Sequence, residues 1–508
     1  MNPVALRLIS TLAGTASKGV AVSLLALLVG LALVASADAS PAYLVILIGA
    51  AGLGASAFWF RDTFSVLLAA SVFTATITVT KALPYSPMAK YGASLVLTAH
   101  EIFLFPLIGM WLWDRLFIRH AAITDVPGNA WAFGFLCFSV FSALRSDDVP
   151  LGLAMAAYYL KFYVVFLLFS DLFRRPDTIR LIMYAMWAGL ALQCLMALGQ
   201  FVTRSPLAFQ GAKGPLTSAT NIVFADAGGE HAFRPFGFLL HPNAFANYLT
   251  YLLPPIAVLL LACGSRLARP LFWALCGLLA AGFGCLVVSL SRGGWIAFGL
   301  AMFIALIVAV RRGLISRKTV SRVAIAAAVG LVLTIVVYPT AILRLTKSDN
   351  RSTETRLMMN DQALLMIGDN LLLGVGLGSY SAATAAYTPM SFSNAGQGMR
   401  DQLKGAIVHN KYLLTTAEGG LIGLGVMLGL FVAMLRTGYG AIGFGDPVYN
   451  ALALGLTTCV GAQLIFFGFD HFMIENRQIL LWSHFGMLSG LAVLHRQQAT
   501  MGQLQERP

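Results

Sequence analysis

Apolar segments of about 20 residues follow one another along almost the whole chain, separated by polar connections. A helix of this length crosses the hydrocarbon core of a bilayer, because each residue adds about 1.5 Å along the helix axis. The pattern therefore predicts an all-α polytopic membrane protein with about 12–14 transmembrane helices. Candidate spans begin near residues 19, 41, 62, 93, 129, 151, 178, 236, 270, 293, 321, 411, 447 and 477.

The composition agrees with this pattern. Of the 508 residues, 58% are hydrophobic and only 11% are charged, and the mean hydropathy is +0.79. Soluble domains carry about 25% charged residues, so the composition excludes an ordinary soluble protein. The six cysteines all fall within apolar segments and lack metal-ligand spacing, which indicates small core residues rather than a disulfide framework.

The basic residues predict the orientation of the chain in the membrane. The net charge is +13, and an excess of Lys and Arg is typical of cytoplasmic loops. Short basic connections, such as 173–180, 265–269 and 311–322, alternate with connections poorer in Lys and Arg. The alternation predicts a cytoplasmic N-terminus and C-terminus. The apolar start resembles a signal peptide, and we interpret it as an uncleaved first span.

Two long connections fall on the outer side in this topology, at about 203–235 and 342–409. They divide the chain into four parts, namely N-terminal transmembrane helices (1–180), further transmembrane helices with the first loop (181–341), a large outer loop (342–409) and C-terminal transmembrane helices (410–508).

The large outer loop contains two local signals. Its segment "NRSTETRLMMNDQALLMIGDN" predicts a short helix at the membrane surface, capped by Ser352 or Thr353. The following "GVGLGSY" lacks the glycine spacing and the preceding strand of a nucleotide-binding loop, so it predicts a tight turn.

Polar residues from separate segments converge on the outer side. Alone, a loop arginine commonly contacts lipid headgroups, and a histidine at a helix start is commonly interfacial. Together, three or more guanidinium groups can hold a diphosphate, and a neutral imidazole can take a proton at neutral pH. The candidates are Arg234, Arg292, Arg351, Arg356, His409, Asn410, Asp470 and His471.

Other ionisable residues lie deeper in the predicted spans and have structural interpretations. Buried charges in a membrane tend to pair, so we expect Glu101 to pair with Lys161. Glu418 lies nine residues into the span after His409, and we expect it to tie that helix to a neighbour. His241, near the outer face, is expected to pack rather than to catalyse.

Four segments in order resemble the O-antigen ligase and Wzy-type polymerase superfamily over about residues 180–490. They are "RPFGFLLHPNAFANY" (234–248), "SLSRGGW" (289–295), "NLLLGVGLGSY" (370–380) and "VHNKYLLTTAEGGLIGLG" (408–425). The resemblance implies a GT-C-like, inverting glycosyltransferase that needs no metal and no cofactor. Its donor would be an undecaprenyl-diphosphate-linked glycan at the periplasmic face of a bacterial inner membrane.

The resemblance also implies roles for individual residues. His409 would be the general base, with Asn410 and Asp470 in support. Arg234 and Arg356 would bind the diphosphate. Arg292 is a third candidate for that contact, and Arg351 is an alternative to Arg356.

The acceptor remains open between two versions of this function. A polymerase would add the glycan to another lipid-linked repeat unit, with a chain-length regulator as a candidate partner, and we favour this version. An O-antigen ligase would transfer the glycan to lipid A–core or protein. A transporter or flippase of lipid-linked sugars is the alternative of another class. Asp147 and Asp148 could bind a divalent ion in a metal-using relative, although a solvated turn explains them more simply.

Overall fold

The computed structural model describes residues 62–78, 80–82, 96–98, 100–122, 125–207, 224–226, 231–239, 241–346, 350–387, 403, 405–471 and 475–505. The signal-like start and the spans predicted near residues 19 and 41 lie outside these ranges. Within them, eight helices are long and apolar enough to cross a membrane, and two shorter apolar helices accompany them. The predicted all-α polytopic fold is therefore confirmed.

The helices, in chain order, are α1 (Thr63–Thr74), α2 (Glu101–Trp113), α3 (Asn129–Leu144), α4 (Val149–Leu172), α5 (Pro176–Thr203), α6 (Pro242–Cys263), α7 (Arg269–Val288), α8 (Arg292–Arg311), α9 (Arg317–Val337), α10 (Thr340–Thr346), α11 (Asn350–Asp369), α12 (Tyr380–Ala383), α13 (Lys411–Gly440), α14 (Pro447–Phe466) and α15 (Glu475–Gln505). A π-helical turn, Asp114–Ile118, extends α2, and a 3₁₀ turn, Gly264–Arg266, follows α6.

Two short antiparallel strand pairs lie among the helices. Strand β1 (Thr80–Ala82) pairs with β2 (Val96–Thr98), and β3 (Phe224–Asp226) pairs with β4 (His231–Phe233). A helix lies at each predicted span from residue 62 onward, but the span expected near residue 93 begins only at Glu101 because the preceding residues form β2.

The centre of the bundle is formed by α6 and α14, which pack against each other, and by α15 packed against α4. Helix α6 is buried along most of its length, with 72% of its most apolar 18-residue segment buried. Its buried polar side chains Asn247 and Thr250 are hydrogen-bonded to Gln463 of α14. By contrast, no residue in the most apolar part of α9 is buried against the described part of the chain.

Two buried polar contacts fix α2 against α4. Near the start of α2, the Nζ atom of Lys161 lies 2.7 Å from Glu101 Oε1, and both side chains are nearly buried. Near its end, Trp111 Nε1 and Arg115 Nε each donate a hydrogen bond of 3.0 Å to Asp171 Oδ2. The predicted pairing of Glu101 with Lys161 is confirmed, and it satisfies two charges that would be costly to bury singly.

Helix α13 is broken at Gly420, whose φ of 64° and ψ of −169° are not helical. The chain after α11 fits into this break. Leu421 N donates a hydrogen bond to Leu371 O at 2.8 Å, and Val375 N donates one to Ala417 O at 2.9 Å. A Cβ atom at position 420 would lie 2.1 Å from the backbone of Leu372, so only glycine allows the two segments to approach this closely.

The predicted tight turn at residues 374–380 is confirmed, and it packs on the broken helix. Its three glycines, Gly374, Gly376 and Gly378, all have positive φ. Glu418 Oε1 accepts hydrogen bonds from Gly378 N at 3.1 Å and from Tyr380 N at 3.4 Å. As expected from the sequence, Glu418 thus ties α13 to a neighbouring segment.

Candidate active site

Five separate parts of the chain supply the polar residues of one cluster. Arg234 lies between β4 and α6, and Arg292 begins α8. Arg356 lies on α11, His409 directly precedes the cap of α13, and Asp470 lies between α14 and α15. The charges of Arg292 and Arg356 act on Arg234, and those of Asp470 and Arg356 act on His409, so the structure brings the five residues together.

Arg234 is held rigidly in this cluster. Its Nε atom donates a hydrogen bond to Ser289 O at 2.9 Å, and its Nη2 atom donates one to Asn243 Oδ1 at 2.7 Å. Burial, and then the nearby charges of Arg344 and Arg356, lower the pKa of Arg234 to about 9. The guanidinium therefore remains mostly charged at neutral pH, and its orientation is set before any anion binds.

Arg292 is placed by the turn "SLSRGGW". Ser291 precedes it and caps α8, because Ser291 Oγ accepts a hydrogen bond from Gly294 N at 3.4 Å. A Cβ atom at Gly293 would lie 2.8 Å from Phe469. The glycine therefore lets the start of α8 approach the connection that carries Asp470. Arg292 is partly buried, and the exposed N–H groups at a helix start also favour anions there.

Arg356 lies on α11, a helix with one buried face and one exposed face. One face of α11 packs in a small core with the segment before α13, through residues such as Met359, Met366 and Val408. The other face exposes Leu357 and Leu364. Burial lowers the pKa of Arg356, while Asp470 acts in the opposite direction. The location of α11 at the membrane surface stays a prediction.

Helix α11 differs in length from the predicted short helix. It begins at Asn350, so Ser352 and Thr353 lie inside its first turn, and the prediction that either residue caps the helix is wrong. Arg351 also lies in this first turn, but its side chain falls outside the described part of the structure.

His409 is positioned by the residue that follows it. Asn410 Oδ1 accepts hydrogen bonds from Tyr412 N at 3.0 Å and Leu413 N at 3.2 Å, so Asn410 is the N-cap of α13. His409 therefore lies just outside the helix. Its Nδ1 atom is buried and has no hydrogen-bond partner among the described residues. Burial lowers the pKa of His409, and the charge of Asp470 only partly opposes this effect. The lowered pKa favours the neutral imidazole at neutral pH.

Asp470 interacts with two further residues near His409. Arg477 Nη1 lies 3.0 Å from Asp470 Oδ2, and Arg477 Nη2 donates a hydrogen bond to Asp470 Oδ1 at 3.3 Å. The Nδ1 atom of His471 lies 3.8 Å from Asp470 Oδ1. The ring centroids of His471 and His409 are 5.1 Å apart. Burial lowers the pKa of His471 to about 4, so it is also neutral.

Sequence reasoning missed two arginines of the cluster, Arg344 on α10 and Arg477 on α15. Arg344 is the only charged residue in the segment "YPTAILRLT", and its position just beyond an apolar span was the available signal. His241 was expected to pack, and its Nδ1 atom does accept a hydrogen bond from Asn243 N at 3.0 Å as the cap of α6. Burial, and then the charge of Arg234, lower the pKa of His241 to about 3.

The cluster suits anions better than a divalent cation. His409, Asp470 and His471 could each offer one ligand atom, and these atoms lie within 4.8 Å of one another. However, Arg356 and Arg477 act electrostatically on this group, and their like charge opposes a cation. At the other proposed metal position, Asp148 Oδ1 instead accepts a hydrogen bond from Leu151 N at 3.1 Å and caps α4.

Comparison with known proteins gives one finding. Residues 276–428 match the family model described as O-Antigen ligase. The matched range contains Arg292, Arg356, His409 and the helix break at Gly420, whereas Arg234 and Asp470 lie outside it. No curated protein matches the sequence. The match confirms the predicted resemblance over residues 276–428, a range that includes three of the four sequence segments and leaves out residues 234–248.

Proposed function

Because residues 276–428 match the O-antigen ligase family model, we propose that this multi-pass membrane protein is an inverting glycosyltransferase. It takes a glycan from an undecaprenyl diphosphate donor and joins it to an acceptor hydroxyl at the periplasmic face. The observation that carries the proposal is the convergence of Arg234, Arg292 and Arg356 beside a neutral His409.

In this reaction His409 removes the proton of the acceptor hydroxyl while the hydroxyl oxygen attacks the anomeric carbon. A new carbon–oxygen bond forms, the bond from that carbon to the diphosphate breaks, and the configuration inverts. The leaving diphosphate gains negative charge, which fixed guanidinium groups stabilise. Losing one such contact costs about 3 kcal/mol of transition-state stabilisation. The leaving group is already anionic and stable, so this chemistry does not require a metal.

Two acceptors suit this site, and each has its own support. The description of the matched family favours an O-antigen ligase, which transfers the glycan to lipid A–core or protein. The long first outer loop and the large number of spans favour a polymerase, whose acceptor is a second lipid-linked repeat unit. Gel banding in a deletion strain distinguishes them. Single-repeat products indicate a missing polymerase, and unattached long chains indicate a missing ligase.

A transporter of lipid-linked sugars fits the site less well. Such a protein needs polar residues along a path through the membrane. Here Arg234, Arg292 and His409 all lie at the starts of apolar helices α6, α8 and α13, so they collect at one end of these helices.

The variant His409→Ala tests the proposal in proteoliposomes supplied with a lipid-diphosphate-linked glycan. Because general-base catalysis contributes about 10²- to 10⁴-fold, we expect glycan joining to fall by that factor with normal membrane insertion. The matched control is His495→Ala, since His495 packs against Phe444 at the end of α15 and lies outside the cluster. Normal joining by His409→Ala would exclude the general-base role.

A further inference from the structure

His471 lies beside both the proposed base and the carboxylate of the site. Its ring centroid is 5.1 Å from that of His409, with the ring planes inclined by 43°. Its Nδ1 atom is 3.8 Å from Asp470 Oδ1. One nitrogen of each histidine and one oxygen of Asp470 lie within 4.8 Å of one another. The three side chains thus form one compact group.

A neutral imidazole can act as a base through only one of its nitrogens, because the other nitrogen carries a hydrogen. That second nitrogen needs an acceptor, which fixes both the tautomer and the orientation of the ring. In His409 the Nδ1 atom is buried and has no hydrogen-bond partner among the described residues. A buried N–H without a hydrogen-bond partner is unfavourable, so the productive tautomer requires a partner.

We propose that His471 is this partner, and that it acts as a positioning residue for His409. Its ring accepts a hydrogen bond from Nδ1–H of His409, and Asp470 orients His471 in turn. The inference rests on the proposed role of His409 as the base. No proton passes through His471. The acceptor's proton goes to the other nitrogen of His409, and the nearby negative charge of Asp470 stabilises the imidazolium that forms.

The surroundings of the two rings fit this role. His471 is partly buried and neutral, so one of its nitrogens keeps a lone pair that can accept. The carboxylate of Asp470 is itself fixed by both terminal nitrogens of Arg477. No hydrogen bond joins the two rings in the described structure, so the proposed contact forms when one ring reorients. Catalytic hydrogen bonds are commonly long before substrate binds.

The charged and titratable groups that act on the two rings come from α11, α13, α15, the start of α6 and the connection that carries Asp470. His409 is influenced by Asp470, Arg356 and Arg477. His471 is influenced by Asp470, Arg477 and Lys411, as well as by His409. His241, at the start of α6, also interacts with His409. Of these groups, only Asp470 raises the pKa of His409. Weakening the interaction between Asp470 and His409 should therefore lower the pKa of His409.

The test compares His471→Phe, which keeps a ring without nitrogen, with His471→Gln, which keeps an acceptor oxygen. Both are measured as full-length protein in proteoliposomes with a lipid-diphosphate-linked glycan. We expect His471→Phe to lower kcat about 10- to 100-fold, a part of what general-base catalysis contributes, with KM for the donor unchanged. The acid limb of its kcat/KM profile should move to lower pH. His471→Gln should recover most of the loss.

Three results would overturn the role of His471, namely equal loss in both variants, a raised KM with unchanged kcat, or an unmoved pH profile. If the larger ring prevents folding, His471→Ala replaces His471→Phe in the same comparison. His409→Ala is measured beside them. Full activity of His409→Ala rejects the proposed function itself, whereas an inactive His409→Ala with a fully active His471→Phe rejects only this inference.

Discussion

The backbone amide of Lys411 donates a 2.8 Å hydrogen bond to the carbonyl of Phe467. This contact joins the start of α13 to the end of α14. His409 lies two residues before one partner, and Asp470 lies three residues after the other. Together with the hydrogen bond from the Tyr412 hydroxyl to Leu464 O, this contact holds the segments of the proposed base and its carboxylate together, although about 60 residues separate them along the chain.

The first prediction concerns the fixed guanidinium of Arg234. Lysine keeps the positive charge but cannot contact both Ser289 O and Asn243 Oδ1 while also facing a phosphate. We expect Arg234→Lys to lower kcat/KM about 100-fold, as the loss of one oriented donor does elsewhere. Arg269→Lys, at the exposed start of α7, is the matched control and should retain the wild-type rate. Equal activity of the two variants would show that Arg234 does not bind the diphosphate.

The second prediction concerns the break in α13. In Gly420→Ala the new methyl group must occupy a backbone conformation with positive φ and would meet the main chain of Leu372. We expect a loss of more than about 2 kcal/mol in the free energy of unfolding, seen as a lower melting temperature in detergent. Gly425→Ala, in the same helix, is the control, because a methyl group added there meets no neighbouring segment within 4 Å. Alanine there should be neutral or slightly stabilising. Similar melting temperatures for the two variants would contradict the tight approach.

Much of this arrangement could be predicted from the sequence. Long apolar segments indicate where the helices lie. The rule that buried charges pair predicted the ion pair between Glu101 and Lys161. The sequence indicates Arg234, Arg356 and His409 because arginines and a histidine from separate segments fall at the same predicted face of the membrane. Their functional roles stay predictions.

Other features depend on contacts between distant segments and were not predictable from local pattern. The strand β2 delays the start of α2, and its partner lies in a different connection. Arg344 and Arg477 resemble ordinary charges at helix ends until the fold places them beside Arg234 and Asp470. The sequence also does not indicate that the segment after α11, at Leu371 and Leu372, enters the break at Gly420.

The third prediction concerns the pH dependence of the reaction. The active form of His409 is neutral, so the rate should be constant near neutral pH and fall as pH drops through its pKa. Burial already lowers that pKa, and Asp470 partly opposes the effect. Asp470→Asn removes the opposing charge. We therefore expect the acid limb of kcat/KM to move to lower pH, together with a lower kcat because Arg477 loses its partner. A limb that moved to higher pH would contradict the sign of this interaction.

The fourth prediction concerns metal removal. His409, Asp470 and His471 lie close enough to offer three ligand atoms, so a divalent ion is the main alternative explanation of the cluster. If the arginines stabilise the leaving diphosphate, incubation with EDTA should leave the joining rate in proteoliposomes unchanged. Because an ion on His409 would occupy the lone pair needed for the base, added Zn²⁺ should inhibit rather than activate. Loss of activity in EDTA that Mg²⁺, Mn²⁺ or Zn²⁺ restores would instead assign the cluster to a catalytic metal.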